Sequence, residues 1–217
     1  SAFYGALLGL TQRNPRSVLA YSSISQLGQM AAVLGVGLAS GLPGARLMVA
    51  YYAAYHVIVK GGLFLLLDRD GRKLAKWQLI LAGFVALGFA GLPLTGGALG
   101  KLAFKDVAGG GLTGVLLAVA AVGSTVLMLH FLRQVRTDTA RRGGATVPAW
   151  AWIVAVIAAT LLQWSLFAAV TGQPLSYALS RSVLFELSWP VAAGALIAMA
   201  LAAAGTQGPR VTPGDVG

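Results

Sequence analysis

Residues 91–101, Gly-Leu-Pro-Leu-Thr-Gly-Gly-Ala-Leu-Gly-Lys, interrupt an apolar segment that runs from Leu74 to Ala108. The segment is about 35 residues long, and a helix needs only about 20 to cross a bilayer. Pro93 lacks a backbone N–H and clashes with the preceding turn, while Gly96 and Gly97 leave the backbone free to bend. The expectation is a transmembrane helix broken near residues 92–97, with Lys101 in the first turn of its second half. Backbone released from helix at membrane depth must be buried in protein or line a wet cavity. An ionisable group beside such a break is a transport-site candidate.

The rest of the chain suits lipid. Hydrophobic residues make up 57% and charged residues 10%, and the mean hydropathy is +0.78, outside the range of a soluble domain. The absence of cysteine excludes disulfides, thiolate metal sites and iron–sulfur clusters held by this chain. Two histidines and six acidic residues are too few for an all-protein metal cage, so neither metal nor cofactor is expected. A net charge of +10 invites a nucleic-acid partner, but the basic residues sit in short loops between apolar runs and read as topology signals.

Taken in order, residues 1–11 are apolar but too short to span, and are expected to be the tail of a helix that begins elsewhere. A polar loop at 12–16 ends in Pro15, which suits the first position of a helix over 17–39. That helix carries Tyr21-Ser-Ser-Ile-Ser-Gln26 and then Gln29. A second helix, 45–67, places His56 and Lys60 four apart and so on one face. After a solvated loop at 68–73 and the broken helix come spans over 112–134, 148–170 and 183–204, with a basic loop at 136–146. The fold class is all-α integral membrane: about six full transmembrane helices, each near the 20 residues a span requires, plus the N-terminal partial helix. Residues 1–204 form a single transmembrane domain and 205–217 a flexible tail.

The charges test this topology. With 74–108 crossing once, and Lys60 and Lys101 set aside, eleven basic residues share one side and three (Arg46, Lys105, Arg181) the other. Two full crossings over the same stretch would give eight against six. The positive-inside rule prefers the broken helix, and places the loops at 12–16, 68–76 and 134–147 in the cytoplasm. Trp77, Trp150 and Trp152 are then expected at that interface.

A lysine at membrane depth costs about 2.5–3.5 kcal/mol on insertion scales. The protonation of such an amine responds strongly to nearby charge and water. Lys60 and Lys101, with His56 one turn from Lys60, therefore suit proton hand-over along a wet path; the alternative is a structural lysine donating to broken-helix carbonyls. Tyr51, Tyr52 and Tyr55 either line that path or simply pack. Ser22, Ser23, Ser25 and Gln26 either hydrate it or bond across helices. His130 reads as structural, and Glu186 as interfacial or paired with Arg181. The glycines from 109 to 114 match G-x-G-x-x-G, but no strand is expected before them, so a dinucleotide site fails its context. Gly5/Gly9 and Gly37/Gly41 have the spacing of close helix packing.

Three motifs in order carry a family resemblance: Leu19-Ala-Tyr-Ser-Ser-Ile-Ser-Gln-Leu-Gly28, His56-x-x-x-Lys60 followed by Leu63-Phe64, and Gly91 to Lys101. Over residues 1–170 the chain resembles the later half of the antiporter-like subunits of NADH:quinone oxidoreductases, Mrp-type cation/proton antiporters and membrane-bound hydrogenases. The resemblance implies the second of two inverted five-helix repeats, and a central hydrophilic axis in which Lys60 is the mid-membrane lysine, His56 its companion and Lys101 the station near the exit. It implies proton, or sodium/proton, translocation inside a multi-subunit membrane complex of the redox-driven, NADH:quinone oxidoreductase-like kind, with no redox centre in this chain. The implied partners are other membrane subunits, one of them supplying the N-terminal repeat, together with lipid; the implied location is a bacterial inner membrane. Asn14-Pro15-Arg16-Ser17 stands where the family commonly has an aspartate and a Lys-Arg pair, and Tyr52 where a second histidine is common. These departures keep two other readings open: a coupling scaffold that has lost transport, and a proton-driven uptake subunit for a solute such as inorganic carbon.

Overall fold

A computed structural model describes residues 1–67, 74–137 and 149–204. Among them the chain is helical throughout: α1 (Ala2–Thr11), α2 (Pro15–Ala39), α3 (Ala45–Leu67), α4 (Lys76–Ala90), α5 (Gly96–Ala108), α6 (Gly111–Thr137), α7 (Ala149–Thr171), α8 (Leu175–Ala178) and α9 (Arg181–Ala203). The expected loop at 68–73, most of the basic loop at 136–146 and the tail at 205–217 lie outside the described residues. The chain is an all-α integral membrane protein. Four helices, α3, α6, α7 and α9, are each long and apolar enough to cross a bilayer. Helix α2 has 25 residues, but its Ser/Gln patch dilutes its apolar character. Helices α4 and α5, with 15 and 13 residues, are each too short alone.

Local chemistry sets the helix ends. Asn14 caps α2, its side chain accepting from the Arg16 N–H at 2.9 Å, and Pro15 takes the first helical position. The break between α4 and α5 spans 91–95. Gly91 is left-handed at φ 101°, its N–H bonded to the Gly88 carbonyl, and the Leu92 N–H reaches the Leu87 carbonyl. That pair of bonds closes α4, and Pro93 cannot continue it. Leu94 follows at φ 67°. Thr95 then starts α5, its hydroxyl oxygen accepting from the Ala98 N–H at 3.2 Å and its hydroxyl donating to the Leu92 carbonyl at 2.6 Å.

The break is thus shifted from 92–97, and Lys101 lies in the second turn of α5, not the first. Gly91, not Gly96-Gly97, supplies the bend. The later glycines serve close packing inside α5: a Cβ on Gly96 would lie 2.6 Å from the Tyr55 ring, and one on Gly97 would strike the Gly88 carbonyl. Replacing Thr95 with Ala removes the cap and is expected to lower stability by about 1 kcal/mol, with Ser retaining most of it. Thermal unfolding in detergent checks this, and equal melting of the Ala variant and wild type rejects it.

Two apolar clusters hold the helices. The larger joins α1–α4, α6 and α7 with Phe104 and Val107 of α5 through residues such as Leu19, Leu63, Phe89, Leu127 and Trp152. The smaller packs Leu99, Leu102 and Ala103 of α5 against Tyr51, Phe167, Ala178 and Val183. Small residues bring the backbones together. Gly5 lies against the backbone of Tyr21 and Ser25, and Gly9 against Leu127. Gly37 meets Ala45 and Val107, whereas Gly41 has nothing near it and takes φ 63° in a turn. Only the first three therefore have the packing role that their spacing implied.

Trp77 and Trp150 are exposed, in keeping with an interfacial position, but Trp152 is fully buried against α3, a correction to the expected aromatic belt. The stretch at 109–111 is a turn with positive φ at Gly109 and Gly111, not a phosphate loop after a strand. Helix α8 was not anticipated, being only four residues long.

Candidate functional site

Ser22, Ser25, Gln26 and Gln29 recur on α2 at the spacing of one helical face, and all are buried. Facing them, α3 sets Tyr52, His56 and Lys60 one turn apart, also buried. The Lys60 ammonium donates to the Leu19 carbonyl at 2.9 Å and to the Ser22 hydroxyl. Ser22 and Ser23 donate to the same carbonyl, at 2.8 and 3.3 Å. Leu19 is thus an anchor on which the lysine and two serines converge. On its other side Lys60 lies 5.0 Å from the centroid of the Phe89 ring, in the last turn of α4, a distance suited to a cation–π contact. The same ring meets His56 edge-on at 5.3 Å.

A second arm leaves this cluster. The Tyr52 hydroxyl donates to Gln26 Oε1 at 2.7 Å, Gln26 Nε2 donates to Ser124 Oγ at 3.0 Å, and Ser124 donates to the Ala120 carbonyl at 2.8 Å. Every donor in the arm points one way and the last acceptor is backbone. An amide gives up its protons far less readily than an amine or an imidazole, so this arm fixes α2, α3 and α6 in register. The groups suited to exchanging a proton are Lys60, His56 and Lys101.

Lys101 stands apart. Its stem passes Gly91, where an added Cβ would lie 3.0 Å from its Cδ, and its buried Nζ has no hydrogen-bond partner. Ser25 Oγ, Gln29 Nε2 and His56 Nδ1 are likewise buried without one. Buried polar atoms of this kind are the places where water would be drawn in. The crevice between α2, α4 and α6, lined by Ser22, Ser25, Gln26, Phe89, Ser124, Leu127 and Met128, is too tight to hold a water in this conformation.

The structure therefore gathers Lys60, His56, Ser22, Ser23, Gln26 and Tyr52, and leaves Lys101 unlinked to them by any hydrogen bond among the described residues. Ser25 borders the crevice. Neither Lys60 nor Lys101 meets a carboxylate among the described residues: Glu186 pairs with Lys105 at 2.5 Å, not with Arg181. The reach across from α5 to α9 could not be read from either helix alone. His130 ties α6 to the end of α1, with a ring nitrogen 2.7 Å from the Gln12 carbonyl.

Sequence reasoning missed three participants. Phe89 carried no signal beyond its place before the break. Ser124, with Thr125, is a polar pair inside an apolar run, and Gln163 is the one amide of α7. Gln163 Nε2 donates to the Tyr51 carbonyl at 2.7 Å while the Tyr51 hydroxyl donates to the Gln163 carbonyl, a reciprocal clasp between α3 and α7.

Residues 1–128 match the family model described as NADH:quinone oxidoreductase/Mrp antiporter, transmembrane. Among curated proteins, the chain is 33% identical over 147 residues to NADH-quinone oxidoreductase subunit N of Parafrankia sp. (strain EAN1pec), covering 60% of this chain and 27% of that one. It is 35% identical over 146 residues to subunit N 3 of Streptomyces griseus, covering 60% and 26%. To subunit N of Salinispora arenicola it is 28% identical over 185 residues, covering 79% and 36%. The chain thus spans about a quarter to a third of the length of these relatives. No solved structure matches it.

Proposed function

Because the chain belongs to the NADH:quinone oxidoreductase/Mrp antiporter family, we propose that it moves protons across a bacterial inner membrane as part of a multi-subunit complex. Lys60, His56 and Lys101 carry the proton, and the helix break separates the two amines. Other membrane subunits, or further chain, supply the first repeat and the driving reaction, electron transfer from NADH to quinone. The loops at 12–16, 68–76 and 134–147 face the cytoplasm.

One observation carries this reading. Two amines lie inside an apolar bundle without a carboxylate partner among the described residues, one held by a hydroxyl and a carbonyl, the other by nothing. Buried cations without counter-charge are costly in lipid and are kept where charge must pass. Sodium in place of the proton, with the same amines gating it, is the variant of this reading that vesicle assays separate by ion substitution.

The test is NADH-driven proton uptake into vesicles holding the assembled complex with Lys101→Met. Uptake falls by about a hundredfold or more, in the range for removing a positioned proton-transfer group. Unchanged uptake overturns the reading and favours the scaffold. The observation on the scaffold's side is that no hydrogen bond joins Lys101 to the Lys60 cluster among the described residues.

A further inference from the structure

Resting on that reading, we propose that Glu186 of α9 is the group that takes the proton from Lys101 and releases it on the far side of the membrane, with Lys105 as its counter-ion. Helix α9 lies beyond the residues matched by the family model, which end at 128. It nevertheless reaches back to the second half of the broken helix. Glu186 Oε2 lies 2.5 Å from Lys105 Nζ, and the two side chains are 43% and 48% exposed. Lys101, one turn earlier on α5, has its Nζ fully buried. The step from Lys101 to Glu186 is therefore a step from a buried site to an exposed one.

The packing holds the acid over that turn. Leu102 of α5 shares an apolar cluster with Val183 of α9, and Leu187 packs on the same cluster. Residues 183, 186 and 187 fall on one helical face, so the contacts that seat α9 also aim Glu186 at α5. A helical side chain leans toward the N-terminus of its helix, so Lys105 covers the turn that bears Lys101. In the present conformation the Lys101 stem runs toward Gly91. The transfer requires that long side chain to rotate from the break toward Lys105, one turn on along α5.

The step balances without any further reactant. The Lys101 ammonium gives its proton to the Glu186 carboxylate, leaving a neutral amine and a carboxylic acid. The acid then yields the proton to solvent, and the carboxylate pairs again with Lys105. Among the described residues the other acid is Asp106, the next position on α5.

The experiment is NADH-driven proton uptake into vesicles holding the assembled complex. Glu186→Gln is expected to slow uptake by about a hundredfold or more, as for loss of a proton-transfer group, and Asp106→Asn to leave it unchanged. In Glu186→Ala, added formate is expected to restore uptake, because a half-exposed site admits a small carboxylate. Normal uptake in Glu186→Gln, with Lys101→Met blocked, overturns this inference and leaves the proton-transport reading standing. Restored uptake in the double variant Lys105→Leu/Glu186→Leu also overturns it, since the pair would then serve packing alone. If Lys101→Met transports normally, the broader reading fails first.

Discussion

On the proposed function, Lys60→Ala is expected to abolish NADH-driven proton uptake by the assembled complex while leaving assembly intact. With His56 one turn away, the ammonium is one of two groups of the cluster that can both carry a charge and give up a proton to a neighbour. Ala removes it and also leaves a void where the four-carbon stem packed. Lys60→Met removes the charge and keeps the stem, and is expected to block uptake equally. Its melting temperature should match or exceed wild type, since a buried charge no longer has to be desolvated. No partner is orphaned by the change, because Ser22 already donates to the Leu19 carbonyl. Lys60→Arg is the most telling of the three. A guanidinium keeps the charge but does not deprotonate in proteins, so it preserves electrostatics and still blocks transfer. Uptake in vesicles, read beside detergent melting curves, separates these effects. Normal uptake in the Arg variant rejects proton exchange at this position.

Gly97→Ala is expected to be the most damaging glycine-to-alanine change among the described residues. The added carbon would sit on the Gly88 carbonyl, and the obstacle is backbone, which has no rotamer to yield. Overpacking usually costs about 1–3 kcal/mol, and a clash with main chain belongs at or above the top of that range. The halves of the broken helix would have to move apart, carrying Lys101 away from Gly91. Gly35→Ala is the contrast. Gly35 lies inside α2 with nothing near its Cβ position, so Ala should gain about 0.5–1 kcal/mol from reduced backbone freedom in the unfolded chain. Melting of the two variants side by side checks the pair, and a Gly97→Ala protein as stable as wild type rejects the close approach.

The helices were legible because each apolar run has a polar or glycine-rich punctuation, and Pro15 marks the start of α2, whereas its cap at Asn14 went unread. The break was legible as an event but not in register. Pro93 marks the end of helix, yet glycines serve equally for a bend and for close approach, and only the Tyr55 ring and the Gly88 carbonyl reveal which role Gly96 and Gly97 take. The Lys60 cluster was half legible. Spacing put Tyr52, His56 and Lys60 on one face and the serines on another, but nothing in the sequence says that the two faces meet at the Leu19 carbonyl. Partners from distant helices stayed hidden: Ser124 for Gln26, Gln163 for Tyr51, and Lys105 for Glu186. Trp152 was misplaced because a tryptophan near a helix end looks interfacial whether its ring faces lipid or another helix.

The tight crevice beside Ser22 and Ser124 has an electrical side. A layer of protein without water is an insulator, and on the proposed function a closed one keeps the proton gradient from leaking back at rest. It also concentrates the membrane voltage. Where solvent penetrates from either face, little of the potential is lost, so on the proposed function most of it falls across the tight layer beside Ser22 and Ser124. A proton crossing only that short distance would then work against nearly the whole field, about 2.3 kcal/mol for each 100 mV. The thickness of the dry layer, more than the length of any helix, sets how steeply turnover slows as the membrane charges.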